Sequence, residues 1–407
     1  MSIHASVGIA AGKSAEETAI QATEEALKSL GTEKADVALV FASSIYNGEE
    51  LLKGVRSVVG PETKIIGSST AGEITNGGPS NQRSISVMLL TSPKIQFFTA
   101  ISGAIDEVGS KFAGKDVAAK IKAQANEAGE SLKSFMMFPD VLVGNGADIV
   151  RGVLETLGDD FPVVGGASGD EQEFVKTFQF LDDKVHTKSV VALGMSGEFS
   201  FGVGVRHGWI PIGSPMTVTK SDGSLIQEID GKPAIKVYED HFGVEKAHVL
   251  QDTEAVASVR SVLTYPFGIS SQENHNEILI RFATDVLRDG SIRCAAEIPQ
   301  GSEIRLMIGS KEEAVEAAQD AANKSKEGLD GKDPKAAIVF NCIARKNLFG
   351  DDARKEINAI REAVGVDVPL IGFYTYGEQA LINGVTRSVD VCETTFHNET
   401  VVIYTLG

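Results

Sequence analysis

The stretch IIGSSTAGEI, residues 65–74, runs an apolar pair into a glycine, small hydroxyl side chains, a second glycine and a carboxylate. The same order returns as VVGGASGDEQ at 163–172 and as LIGFYTYGEQ at 370–379. Gly67, Thr70, Gly72 and Glu73 match Gly372, Thr375, Gly377 and Glu378 in internal spacing, while Ser168, Gly169 and Asp170 keep a shorter hydroxyl, glycine, acid core. Turn geometry accounts for a single glycine, but not for a spaced set that recurs.

What precedes each copy shows where it sits. Before the first, Val37 to Ala42 reads as a strand, and Leu51, Leu52, Val55, Val58 and Val59 fall on one helical face. Before the second come an apolar run at Phe135 to Phe138 and a helical stripe of Ile149, Val150, Val153, Leu154 and Leu157. Before the third come Ala337 to Phe340 and then Ala353, Ile357, Ile360 and Val364. Strand, amphipathic helix and strand at this length is a right-handed crossover between parallel strands. Each motif is therefore expected at the carboxyl end of a parallel strand, where backbone N–H groups and short side chains face a crevice.

Between these units the pattern changes to alternating strands, ISVMLL, IQFFTA, VVALGM and FGVGV, followed by two segments with Asp-Gly hairpin turns at Asp222 and Asp289. Ser14 and Glu17 at capping-box spacing and Gly31 bound a first helix, and Lys311 to Lys326 reads as a polar, alanine-rich one leading to the linker-like EGLDGKDP. The fold class expected is α/β: duplicated strand, helix, strand units with added antiparallel strands, in two related halves.

Composition narrows the function. A chain of 407 residues exceeds one ordinary core. A formal charge of -18 gives no field that would attract nucleic acid or anionic lipid. Cys294, Cys342 and Cys392 lie far apart without metal or disulfide spacing. No signal peptide and no apolar run of membrane length is visible, so a soluble cytoplasmic protein is expected. GIAAGKS at 8–14 has one residue too few between its glycines for a phosphate-binding loop, and Ser14 is better read as a helix cap. The histidines, among them His207, His241, His275 and His397, never reach zinc-site spacing and read as surface or bracing residues. A carboxylate at a strand end, with N–H groups and hydroxyls beside it, can hold both ends of a small zwitterion. The candidate ligand-binding residues are Ser69, Thr70, Gly72, Glu73, Ser168, Asp170, Tyr374, Thr375, Tyr376 and Glu378. Arg206 and Trp209 in VRHGWIP join them as a cation and the sole tryptophan beside a strand end. An enzyme using Glu73, Asp170 or Glu378 as acid or base is the competing class, but no orienting partner accompanies them in sequence.

The same residues carry a resemblance. VALVFASSIYNGEELLKGVRSVVGPETKIIGSSTAGEI, PVVGGASGD, HGWIPIG, PLIGFYTYGE and TTFHNETVVI, in that order, resemble the FIST domain in its N-terminal and C-terminal parts. The resemblance implies a FIST N-like domain at 1–230 and a FIST C-like domain at 231–407. It further implies a sensory module that binds a small ligand such as an amino acid and acts on a separate histidine kinase, cyclase or chemoreceptor. Some members resemble haem-containing nitric oxide sensors, which makes haem the alternative cofactor implied. Many members carry Cys where this chain has Ser68, so thiol chemistry is not carried over.

Overall fold

Val37–Ser43 is buried on both faces because its run of seven small and apolar residues packs against two layers at once. The computed structural model describes residues 3–32, 34–80, 83–243, 265–270, 278–380 and 396–407. His275 and Cys392 lie outside them.

One plan is used three times. In the first unit Val37–Ser43 runs parallel to Lys64–Thr70 across the helix Gly48–Val59, Ile85–Thr91 lies antiparallel beside it, and His4–Ala10 forms the edge. The second unit repeats this with Leu132–Pro139, the helix Gly146–Leu157, Val163–Gly166, Val190–Gly197 and Ile95–Ile101. The third uses Ala336–Cys342, the helix Ala353–Val364, Leu370–Thr375, Val401–Leu406 and Phe201–Arg206. A further helix backs each crossover helix: Ala15–Leu30, Ser110–Glu127 and Lys311–Glu327. The expected caps are present, with Ser14 accepting from the Glu17 N–H and Gly31 at φ 76°. The linker-like 327–334 is a turn inside the third unit, where Leu329 is buried.

The units exchange their last hairpin in a closed ring. Glu73–Thr75 leaves the first unit and pairs with Leu370–Thr375 of the third. Glu378–Gln379 leaves the third and pairs with Val163–Gly166 of the second. Gln179–Leu181 leaves the second and pairs with Lys64–Thr70 of the first. The inner faces of the three sheets close on one core, at whose centre Phe41, Phe138 and Phe340 hold matching register positions. The ring centroids of Phe41 and Phe138 are 5.4 Å apart and those of Phe138 and Phe340 6.2 Å.

Residues 207–310 are inserted between the edge strand and first helix of the third unit. There Trp209–Asp222, Leu225–Ile229, Glu303–Gly309 and shorter strands form a separate antiparallel sheet with its own core around Tyr238, Phe267 and Ile292. The Asp-Gly hairpin expected at Asp222 joins its first two strands. Among the described residues no helix is long and apolar enough to cross a membrane.

The repeated glycine has a packing cause. A Cβ at Gly67 would lie 1.8 Å from the Val40 carbonyl oxygen, at Gly165 2.0 Å from that of Met137, and at Gly372 2.2 Å from that of Val339. These contacts are with backbone of the parallel partner strand, so relief requires the strands to part. Gly67→Ala is expected to cost about 3 kcal/mol, read as a lower urea midpoint with unchanged slope; an unchanged midpoint would mean that the strand pair yields freely.

Candidate functional site

The three motifs meet. Each ends a parallel strand, and their backbones are stitched in the order of the hairpin exchange: Ala71 N–H to Tyr374 O at 2.9 Å, Gly169 N–H to Ser69 O at 3.0 Å, and Ala167 N–H to Gly377 O at 2.8 Å. Ser69, Thr70, Gly72, Glu73, Ser168, Asp170, Tyr374, Thr375, Tyr376 and Glu378 therefore gather on one crest, contributed by all three units.

Within the crest, Glu73 and Glu378 hold equivalent places. Thr70 Oγ1 donates to Glu73 Oε1 at 2.5 Å while Ser84 donates to Oε2. Thr375 donates to Glu378 Oε1, and Thr400 Oγ1 donates to its Oε2 at 2.8 Å. The N–H of Gly72 returns to Thr70 Oγ1 and that of Gly377 to Thr375 Oγ1, both glycines lying at positive φ. Both carboxylates are buried and saturated by hydroxyl donors, so in this arrangement they lock the hairpins to the neighbouring sheets.

The second copy departs from the sequence alignment. Counted from the close-packed glycines, Glu73, Glu171 and Glu378 all stand six residues on, yet in space the lock position of the second unit belongs to Gln179. Gln179 Nε2 donates to Ser168 Oγ at 3.1 Å, as the other hydroxyls serve the other locks. Residues 171–178 form an extra loop. Asp170 pins it: Oδ1 accepts from the Phe174 N–H at 2.9 Å and from Tyr376 Oη at 2.5 Å, and Oδ2 accepts from the N–H groups of Val175 and Lys176. Glu171, Gln172 and Phe174 have φ of 52°, 71° and 53°. Three left-handed residues without a glycine cost about 1 kcal/mol each.

This loop faces groups that the sequence did not mark. Glu171 is clasped by Ser44, through its hydroxyl at 2.5 Å and its N–H at 3.2 Å. Gln172 Oε1 accepts from Asn347 at 2.8 Å, and next to Asn347 the Lys346 Nζ donates to Ala71 O at 2.9 Å, 5.0 Å over the Tyr374 ring. Gly72 lies at φ 130°, which favours glycine, and a Cβ there would displace the Lys346 ammonium, 2.6 Å away. Burial lowers the affinity of the Lys346 amine for its proton, opposed by the charges of Glu73 and Glu171. Counting six residues from Gly165 would have found Glu171; nothing in the sequence signals Lys346.

Arg206 and Trp209 stand apart. Arg206 is paired with Asp320 at 2.5 Å and lines a groove of about 490 Å³ with Pro162, Phe201 and Lys324. Trp209 packs with Ile280 and Met307 at the root of the inserted sheet, 5.7 Å from the Arg345 guanidinium. Arg345 is itself buried and paired with Glu356.

Three of the described histidines are engaged by backbone groups. His207 Nδ1 accepts from the Trp209 N–H, His241 Nδ1 pairs with Val237 O, and His397 Nε2 pairs with Ala380 O. Burial holds His207 and His397 near 4, and no histidine lines the groove. Among the described residues no group of three or more His, Cys, Asp or Glu could hold a metal ion.

Burial raises Glu73 and Glu378 to about 7, against the hydroxyl donors that lower them. Their folded values exceed the unfolded value of 4.5, so the folded state binds more protons between these limits and stability falls as pH rises through them. The loss is at most about 3 kcal/mol for each. Gln179 shows that an amide serves at this position. Glu73→Gln with Glu378→Gln is therefore expected to flatten the fall in urea midpoint between pH 5 and pH 8 and to match or exceed the parent at pH 8. A slope equal to the parent's would show that these carboxylates do not titrate there.

Comparison with known proteins agrees with this plan. The FIST N domain model matches residues 36–232 and the FIST C domain model residues 234–381. An uncharacterized protein of Methanocaldococcus jannaschii is 24% identical over 370 residues, covering 84% of this chain and 69% of its own. One from Mycobacterium tuberculosis is 24% identical over 391 residues, covering 93% and 95%. A cyanuric acid hydrolase from A. caulinodans aligns over 99% of both chains at 9% identity with a TM-score of 0.36, too loose to carry an argument. With the two models together spanning most of its length, the chain belongs to the FIST family of sensory, small-ligand-binding domains.

Proposed function

We propose that this protein is the input module of a cytoplasmic signalling pair, binding a small zwitterion such as an amino acid at the crest and acting on a separate kinase, cyclase or chemoreceptor. The observation that carries this reading is the loop Glu171–Phe174. Its left-handed backbone is held by Asp170 and Tyr376 at the junction of the three units, beside the Lys346 ammonium. Backbone strain of this kind persists where surrounding structure enforces it, and it concentrates at ligand sites.

The chemistry is complementary to a zwitterion. Lys346 gives one proton to Ala71 O and has two more for a ligand carboxylate. Glu171, half-buried and held by Ser44, offers its remaining lone pairs to an ammonium. An acid–base enzyme is less well supported, because the buried carboxylates already accept hydrogen bonds from Thr, Ser and, for Asp170, Tyr and backbone donors.

A thermal-shift screen against amino acids tests the reading, since a ligand of the native state raises the melting temperature by mass action. Lys346→Met and Glu171→Gln should each weaken the hit about ten- to a hundredfold, the loss of one charge-assisted hydrogen bond, with melting within a few degrees of the parent. Unchanged affinity in both variants would move the site away from the crest. Trp209 emission should also shift on binding, because Arg345, the neighbour of Lys346 on the helix Ile343–Phe349, lies over its ring. A constant spectrum at saturation would uncouple the two.

A further inference from the structure

We infer that the crest selects an amino acid with an apolar, preferably aromatic, side chain, using Phe174 as the wall on which that side chain lies; this rests on the zwitterion reading above. The loop that carries Glu171 turns two large apolar residues to solvent, Phe174 at 52% and Val175 at 80% exposure. Ile45, next to the Ser44 that clasps Glu171, is 51% exposed. A surface loop tip is served as well by polar residues, so large apolar side chains grouped around charged groups mark a contact surface.

The geometry gives that surface an orientation. Phe174 is stacked on Tyr376, ring centroids 4.6 Å apart and planes 22° from parallel, and Tyr376 Oη is tied to Asp170 and to the Gln172 N–H at 2.7 Å. One face of the Phe174 ring is thus covered and the ring is held, which lowers the entropy lost when a second group covers it. Gln172, two residues before, is bonded to Asn347, the neighbour of Lys346. Cation, anion and ring accordingly lie within one short loop and the helix Ile343–Phe349 that it touches. A ligand whose carboxylate meets Lys346 and whose ammonium meets Glu171 has its α-carbon substituent as the remaining group for Phe174. Charge complementarity sets the polar end, and the exposed ring sets the apolar one.

Titration calorimetry on the full chain decides it, with L-phenylalanine and L-leucine against glycine, L-serine and L-aspartate. The apolar pair should bind at least about tenfold more tightly than glycine, the size of one ring contact. Phe174→Asn removes the wall with little risk to folding, because Asn accepts the left-handed backbone that Phe174 adopts. It should weaken phenylalanine about tenfold and glycine less than twofold, and Phe174→Tyr should restore the parent's preference. Serine or aspartate binding as tightly as phenylalanine, or Phe174→Asn leaving phenylalanine unchanged, overturns this inference while the zwitterion site stands. Absence of heat from all five amino acids, with the parent folded, overturns both.

Discussion

The exchange of hairpins between units is the constraint on which the rest depends. Each unit has a parallel pair and two antiparallel strands of its own, but its sheet is completed by strands from a neighbour. A sheet edge left open there would expose unpaired backbone groups. Closing the ring pairs those edges, and it places a polar residue at each crossing in the buried interior. Glu73, Gln179 and Glu378 fill these places, each bonded to the hydroxyl at or just past the end of the preceding motif strand. Removing one partner would leave a buried polar atom unsatisfied, which costs more than the bond itself contributes.

Threefold repetition makes a scaffold, and the departures from it make the candidate site. Two locks follow their strands within three residues. The third is delayed by residues 171–178, and the chain needed to reach the lock from farther away becomes the loop that projects from the crest. The left-handed residues are the conformational cost of that detour. Asp170 offsets it, gathering three N–H groups and the Tyr376 hydroxyl. The helix Ile343–Phe349 is a second departure: it puts Lys346 on the crest while Arg345 reaches inward to Glu356 and to the carbonyls of His207 and Ala314. Those carbonyls belong to the chain on either side of residues 209–309, so one short helix touches both the crest and the root of the inserted sheet.

The repeated motifs, the periodicities before them and the turn signals determined a great deal. Continuous apolar runs such as VALVFA identify strands buried on both faces, and apolar spacing of three and four residues identifies the helices that cover them. Ser14, Gly31 and the Asp-Gly turn at Asp222 act through local geometry and were legible for that reason. The placement of each motif at the carboxyl end of a strand follows from the parallel crossover that precedes it. Tertiary structure alone decided which sheet each hairpin joins, because pairing between residues about one hundred to three hundred positions apart leaves no local pattern. It moved the lock of the second unit from Asp170 to Gln179, since an inserted loop displaces sequence register without displacing space. It separated Arg206 and Trp209 from the crest, and it brought in Lys346, a lysine on a short helix whose part is set by the Ala71 carbonyl and the Tyr374 ring beside it.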